Sequence, residues 1–156
     1  MDQLDWLLQH RFASASRREH DWVFAFDGQA NLVVECLWRL IEGNRIRLTS
    51  LDDGQQFGRP APVDATETIN SRLERATVVS LTLREGSLDL HLTFDTGHTL
   101  EIIPDSSGYE SWNLSVSDQQ YIAVGGGDLA IFTGESYNLA EQSGEREPPM
   151  TRDWKS

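Results

Sequence analysis

The sequence has little of what secreted and membrane proteins depend on. Its 156 residues include one cysteine, Cys36, and a chain with one cysteine cannot form an intrachain disulfide, which fits a reducing compartment. No stretch approaches the roughly 20 apolar residues of a transmembrane helix. The first five residues carry two aspartates, whereas a secretory signal begins with basic residues and continues with apolar ones. We therefore predict a cytoplasmic protein without membrane contact.

Positive charge is also scarce. The chain has 13 basic and 25 acidic residues, a net charge of −12, which repels phosphate backbones and excludes nucleic acid as a favoured partner. Between Glu85 and Glu145 there is no Lys or Arg, but there are eleven acidic residues. This asymmetry predicts an acidic face for a basic partner protein, formed by Asp89, Glu101, Glu110 and Asp118. The alternative interpretation is an acidic surface that only keeps the protein soluble.

Motifs for metals, cofactors and nucleophilic catalysis are absent. There is no HExxH sequence or cysteine pair, and the triple glycine at 125–127 precedes an apolar strand, which predicts a turn and not a phosphate loop. We predict no cofactor. Cys36 lies at an inward position of an alternating segment, so a structural role is favoured.

One triplet, Asp95-Thr96-Gly97, also occurs in aspartic proteases. Turn chemistry explains it more simply, because Asp opens tight turns and Gly supplies a positive φ. An enzyme that uses this hairpin, with His91, His98 and Glu101 around a metal or small molecule, is the alternative function. We expect His91 and Glu101 to project from one face of the hairpin and His98 from the other. These three residues and Asp95 should therefore not converge on one pocket.

The apolar and aromatic residues, 38% and 9% of the chain, suffice for one hydrophobic core. Alternating apolar residues predict two hairpins, with Phe24 opposite Leu32 in the first, and with Leu92 opposite Leu100 and Leu90 opposite Ile102 in the second. The predicted core comprises Trp22, Phe24, Leu32, Trp38, Leu48, Leu90, Leu92, Leu100 and Trp112.

Two segments have helical spacing. One is Asp2–Phe12, with leucines three and four residues apart, followed by a small polar connector over 13–20. The other begins after Asp64, which can cap a helix that buries Ile69, Leu73 and Ala76. The fold class predicted is α+β: antiparallel β-meanders packed against two helices, as a single domain over 1–133 with a flexible polar tail over 134–156.

A weak internal repeat accompanies this pattern. Phe26-Asp27 followed by Leu32 matches Phe94-Asp95 followed by Leu100, and each pair of strands leads to a tryptophan, Trp38 or Trp112. The segments 50–57 and 115–121 also resemble each other. A duplicated helix-plus-meander unit and a chance similarity between meanders both remain open.

Three stretches carry a resemblance to a known family: Val34–Arg39, Gly54–Gly58, and Thr99–Ile103 continuing to Tyr109–Trp112. They resemble a family of small uncharacterised bacterial proteins, a domain of unknown function, over about residues 20 to 132. The Tyr-Glu-Ser-Trp element is also similar, more loosely, to β-rich immunity proteins that neutralise bacterial toxins. Neither resemblance implies catalytic residues.

The function predicted is therefore a non-enzymatic acidic module that binds a basic protein, as an immunity protein does. The alternatives are the hairpin enzyme above and a homodimer or larger homo-oligomer that pairs exposed strands.

Overall fold

A computed structural model describes residues 3–134 and 136–139 of the chain. The elements, in chain order, are β1 Phe12–Arg17, β2 Trp22–Phe26, β3 Ala30–Val34, β4 Leu37–Glu42, β5 Arg45–Thr49, α1 Ala65–Arg72, β6 Val78–Leu83, β7 Leu90–Phe94, β8 Thr99–Ile103, β9 Trp112–Val116, β10 Gln119–Val124, β11 Asp128–Thr133 and β12 Ser136–Leu139. No helix within these residues is long and apolar enough to cross a membrane.

The strands form two antiparallel sheets, so the α+β prediction is wrong. A seven-stranded sheet has the order β1-β2-β3-β9-β10-β11-β12, and a five-stranded sheet has the order β5-β4-β8-β7-β6. Within the described residues α1 is the one α-helix. Strand β12 occupies part of the predicted tail, and residues 140–156 lie outside the described residues.

The predicted helix over Asp2–Phe12 is replaced by a 3-10 turn at Asp5–Leu7. Leu4 and Leu7 are fully buried, as the helical spacing requires, but one short turn is enough to bury both. Gln9 then adopts a positive φ of 72°, which ends any helix. The predicted connector over 13–20 begins as β1, whose small polar residues conceal its pairing with β2.

The second predicted helix is confirmed as α1. The Asp64 carboxylate accepts a hydrogen bond from the Glu67 amide at 3.1 Å, which satisfies one of the free N–H groups of the first turn. Ile69 and Leu73 are fully buried. On another side of the helix, the Asn70 amide bonds both the N–H and the carbonyl of Ala15 at 2.8 Å each, so α1 covers the edge of β1.

The internal repeat is visible in the strand order. Strands β1–β5 and β6–β10 are two equivalent units, because β1-β2-β3 continues into β9-β10 in one sheet and β6-β7-β8 continues into β4-β5 in the other. Each unit therefore gives its last two strands to the sheet of the other. The β-bulges also repeat: β1 has one unpaired residue after Phe12, and β6 has one after Val78. The units meet at an antiparallel bridge between Arg11 and Thr77.

Two details of the predicted repeat are wrong. The segment before the first unit is the 3-10 turn and not a helix. The matched segments 50–57 and 115–121 are not equivalent, because the first follows β5 whereas the second joins β9 to β10.

The predicted core and both hairpin registers are confirmed. All nine predicted core residues are at most 6% exposed. Phe24 pairs with Leu32, Leu92 with Leu100, and Leu90 with Ile102. Sequence-local turns fix these registers, and a shift of one residue would move every apolar side chain to solvent.

Two crossings between the sheets lie side by side at one end of the molecule. The link Glu35–Cys36 joins β3 to β4, and residues 104–111 join β8 to β9. The Glu35 amide donates to the Ser111 carbonyl at 2.8 Å, which ties the two crossings together. We call this the crossover end.

Candidate functional site

A cleft of about 410 Å³ opens at the crossover end. Four separate segments line it: the turn between β1 and β2, the Glu35–Cys36 link, the start of the 3-10 turn after β5, and the end of β8. We call it the crossover cleft. Its apolar lining includes the buried side chains of Trp22, Val34 and Cys36. Its acidic lining consists of Glu19, Asp21, Glu35 and Asp105.

Two arginines beside the cleft are already held by carboxylates. Arg18 bonds the buried carboxylate of Asp21 through two nitrogens, at 2.6 and 2.7 Å, and the hydrogen bond to Asp21 is the main reason why the pKa of Arg18 is raised. Arg17 pairs with Asp53 at 2.6 Å and lies over the ring of Trp22, 5.8 Å from its centroid. Glu19 and Asp105 are exposed, and the Glu19 carboxylate lies 3.5 Å from the ring of His20, which also lines the cleft.

Behind the cleft, two carboxyl groups from the two crossings meet. Glu110 is buried and its side chain is hydrogen-bonded to that of Glu35. Two carboxyl groups can form such a bond only when a proton lies between them. Burial raises the pKa of Glu110 above its ordinary value, and the bond to Glu35 lowers it by a smaller amount.

This arrangement predicts a pH-dependent stability that Glu110→Gln removes. A carboxyl group whose pKa is raised on folding holds its proton more tightly in the folded state. The free energy of unfolding of the wild type therefore falls as pH rises above the ordinary glutamate value of 4.5 towards the raised pKa. Gln retains an N–H donor for Glu35 and cannot ionise. We expect urea unfolding to show Glu110→Gln gaining stability relative to the wild type as pH rises from about 4 to 8.

The matched control is Glu74→Gln, which makes the same charge change on an exposed residue away from the crossover end. It should not reproduce the pH-dependent difference. If Glu110→Gln followed the wild type at every pH, the buried carboxyl would not be the source of the effect.

The residues predicted for one acidic face lie in different places. Asp89 precedes β7 and Glu110 precedes β9, so both are at the crossover end, but Glu110 is buried. Asp118 is exposed in the turn between β9 and β10, at the opposite end. Glu101 lies on the outward face of β8, where Arg39 pairs with it at 2.5 Å.

The residues of the enzyme alternative are brought together only in part. His91 and Glu101 are opposite each other on the outward face of the five-stranded sheet. His98 is buried, with its ring 2.8 Å from the Thr96 hydroxyl and 3.5 Å from Glu42. Asp95 accepts a hydrogen bond from the Thr77 amide at 3.0 Å, which is a structural use of the triplet's carboxylate. Within the described residues no three His, Cys, Asp or Glu side chains are placed to hold a metal ion.

Sequence reasoning missed the crossover cleft. Its lining residues are widely separated in the chain, and the alternation of Leu32, Val34, Cys36 and Trp38 continues unchanged through the crossing. One local signal was available: Glu35 places a carboxylate within an otherwise apolar run.

Comparisons with known proteins bear on this arrangement. Searches of curated proteins and of solved structures find no match. The model of one protein family, described as a family of unknown function (DUF6188), matches residues 5–133. That range includes both five-strand units, both crossings and the whole cleft, and so the chain belongs to the DUF6188 family.

Proposed function

We propose that the chain is a non-enzymatic protein-binding module whose crossover end receives a basic surface of a partner protein. The observation that carries this proposal is the composition of the crossover cleft, in which exposed carboxylates adjoin buried apolar side chains. A Lys or Arg of a partner matches such a lining, because its aliphatic stem packs on apolar groups while its charged end meets a carboxylate.

The charge at this end supports the same reading. Arg17 and Arg18 are each held by an aspartate, whereas Glu19 and Asp105 are exposed at the mouth of the cleft. Glu85 and Asp89 lie in the turn between β6 and β7 at the same end. The field of these groups extends about one Debye length, roughly 8 Å at physiological salt, and it accelerates the encounter with a basic partner.

A toxin-immunity role in the cytoplasm of a bacterium is the specific form of this proposal. An immunity protein has to bind its toxin quickly and specifically, and an acidic cleft with an apolar floor is suited to both. The likeness of the Tyr-Glu-Ser-Trp element to immunity proteins motivates the toxin-immunity proposal. The partner would then be a basic toxin.

The test compares two double variants that remove the same charge at opposite ends of the molecule. Glu19→Gln with Asp105→Asn removes exposed carboxylates of the cleft, and Glu74→Gln with Asp118→Asn removes exposed carboxylates elsewhere. For a partner recovered from the native source, we expect the cleft variant to lower the association rate constant about tenfold at low salt. The control variant should lower it much less.

The salt dependence of the same rate provides a second measurement. Association of the wild type should slow steeply as salt rises to physiological levels, since exposed charges act mainly on encounter. An acidic partner, or equal effects of the two double variants, would show that the acidic end serves only solubility.

A further inference from the structure

Strand β6 forms one edge of the five-stranded sheet. In the described part of the chain, most of this edge has no neighbouring strand or covering segment on its outer side. Val78 is covered, because its N–H and carbonyl bond His10 and Gln9 at 2.9 and 2.8 Å. From Val79 to Leu83, in the described part of the chain, no backbone group bonds a segment other than β7. A five-residue edge is thus available to another strand.

The equivalent edge in the first unit is closed. Ala15 and Leu81 occupy matching positions, since they pair with the matching residues Phe24 and Leu92. The side chain of Asn70 bonds both backbone groups of Ala15. Arg11 and Thr77, which pair with each other, are 66 residues apart. The same offset makes Leu4 the equivalent of Asn70, and the side chain of Leu4 has no hydrogen-bonding group. The sequence thus provides a cap for one edge and none for its counterpart.

The open edge also lacks the charges that protect exposed strands. Natural sheets block their edges with charged residues, proline, a β-bulge or a covering segment, and of these devices residues 79–83 have the bulge at Val79. At the other edge of this sheet, β5 carries the exposed residues Arg45 and Arg47. In contrast, residues 79–83 read Val-Ser-Leu-Thr-Leu, with Val79 45% exposed.

We propose that two copies of the chain pair their β6 edges antiparallel about a twofold axis at Leu81, which joins two five-stranded sheets into one. This register uses all five open residues and places Val79 of each copy opposite Leu83 of the other. Antiparallel pairing about a twofold axis is self-complementary, because the same patch supplies both sides.

Charges at the two ends of the open edge favour a second copy as the occupant. The segment that covers Val78 continues to Arg11, at the beginning of the edge, and beyond its end the chain continues with Arg84 and then Glu85. Arg11 and Glu85 are exposed, and neither belongs to an ion pair among the described residues. The twofold axis brings Glu85 of each copy towards Arg11 of the other. Glu85 of one copy and Arg11 of the other are therefore the oppositely charged pair that this twofold arrangement brings together.

The principal test is Val79→Lys, which adds a charge to the open edge, with Ala13→Lys as its matched control. Ala13 is exposed and occupies the equivalent bulge of β1. We expect sedimentation equilibrium of the wild type, over about 10 µM to 1 mM, to show a dimer of the 17.6 kDa chain. Val79→Lys should weaken dimerisation at least about tenfold, and Ala13→Lys should leave it unchanged. A wild type that stays monomeric throughout, or equal effects of the two lysines, would overturn the proposal.

A charge exchange tests the register with substitutions of exposed residues only. Glu85→Arg lowers the net negative charge of each copy and so reduces their general repulsion, but by the proposed contact it should weaken the dimer about fivefold. Arg11→Glu should also weaken it, and the combination should restore most of the wild-type affinity. A dimer strengthened by Glu85→Arg, or not restored by the combination, would contradict the twofold axis at Leu81. Val79 and Ala13 lie outside the crossover cleft and carry no charge, so the outcome of the lysine test is separate from that of the proposed function.

Discussion

Replacing Trp38 by Ala should lower the free energy of unfolding by about 3–5 kcal/mol. Trp38 is fully buried and contacts Trp22 and Phe24 edge to face, with ring centroids 5.0 and 5.6 Å apart. Its removal therefore leaves a cavity between the two sheets where aromatic side chains from both meet. Chemical denaturation measures the loss directly, and a change below about 1 kcal/mol would contradict the central position of this residue.

A comparison of two tryptophans separates packing from hydrogen bonding. Trp38 and Trp112 are equivalent in the two units and both are fully buried. The Trp112 indole N–H donates to the Leu88 carbonyl at 3.0 Å, whereas the Trp38 indole N–H is buried without a hydrogen-bond partner in the described structure. Trp112→Phe should therefore destabilise the protein by about 1–3 kcal/mol more than Trp38→Phe.

Gly127→Ala should be the most damaging of the glycine substitutions, with a loss on the order of 3 kcal/mol or more. A Cβ at this position would lie 1.9 Å from the Gly86 carbonyl oxygen, and the φ of 98° is strained for any other residue. The turn between β10 and β11 packs against the turn between β6 and β7 at this point, so one of them has to move. A fall in melting temperature measures the effect.

Gly43→Ala is the control, because it introduces the same kind of backbone strain but no steric clash at the new Cβ. Gly43 has a φ of 58° and open space around its Cβ position, so Ala there should cost only about 1 kcal/mol. Similar losses at the two positions would show that close packing between the turns contributes nothing.

The parts of the fold that follow from neighbouring residues could be predicted from the sequence. The register of Phe24 with Leu32 and of Leu92 with Leu100 depends on short turns and on alternation, both of which are local. The start of α1 at Asp64 depends on a cap three residues from its partner. These features need no knowledge of distant contacts.

The change of sheet at Glu35–Cys36 could not be predicted, because burial alternates in the same phase before and after it. The cleft follows from that crossing, since it exists only where the chain leaves one sheet for the other. The fold class failed for a related reason. Leu4 and Leu7 fit a helix and a single 3-10 turn equally well, and the pairing of β1 with β2 decides between them.

The exchange of strands between the two units also governs how the chain can be made. On the ribosome, β3 emerges well before β9, its neighbour, and β4 before β8. The first half of the nascent chain consequently presents two unpaired edges and a partial core until the second half has been synthesised. We therefore expect that neither half folds by itself. A fragment that ends near α1 should depend on its missing counterpart, and the two fragments should complement each other when mixed.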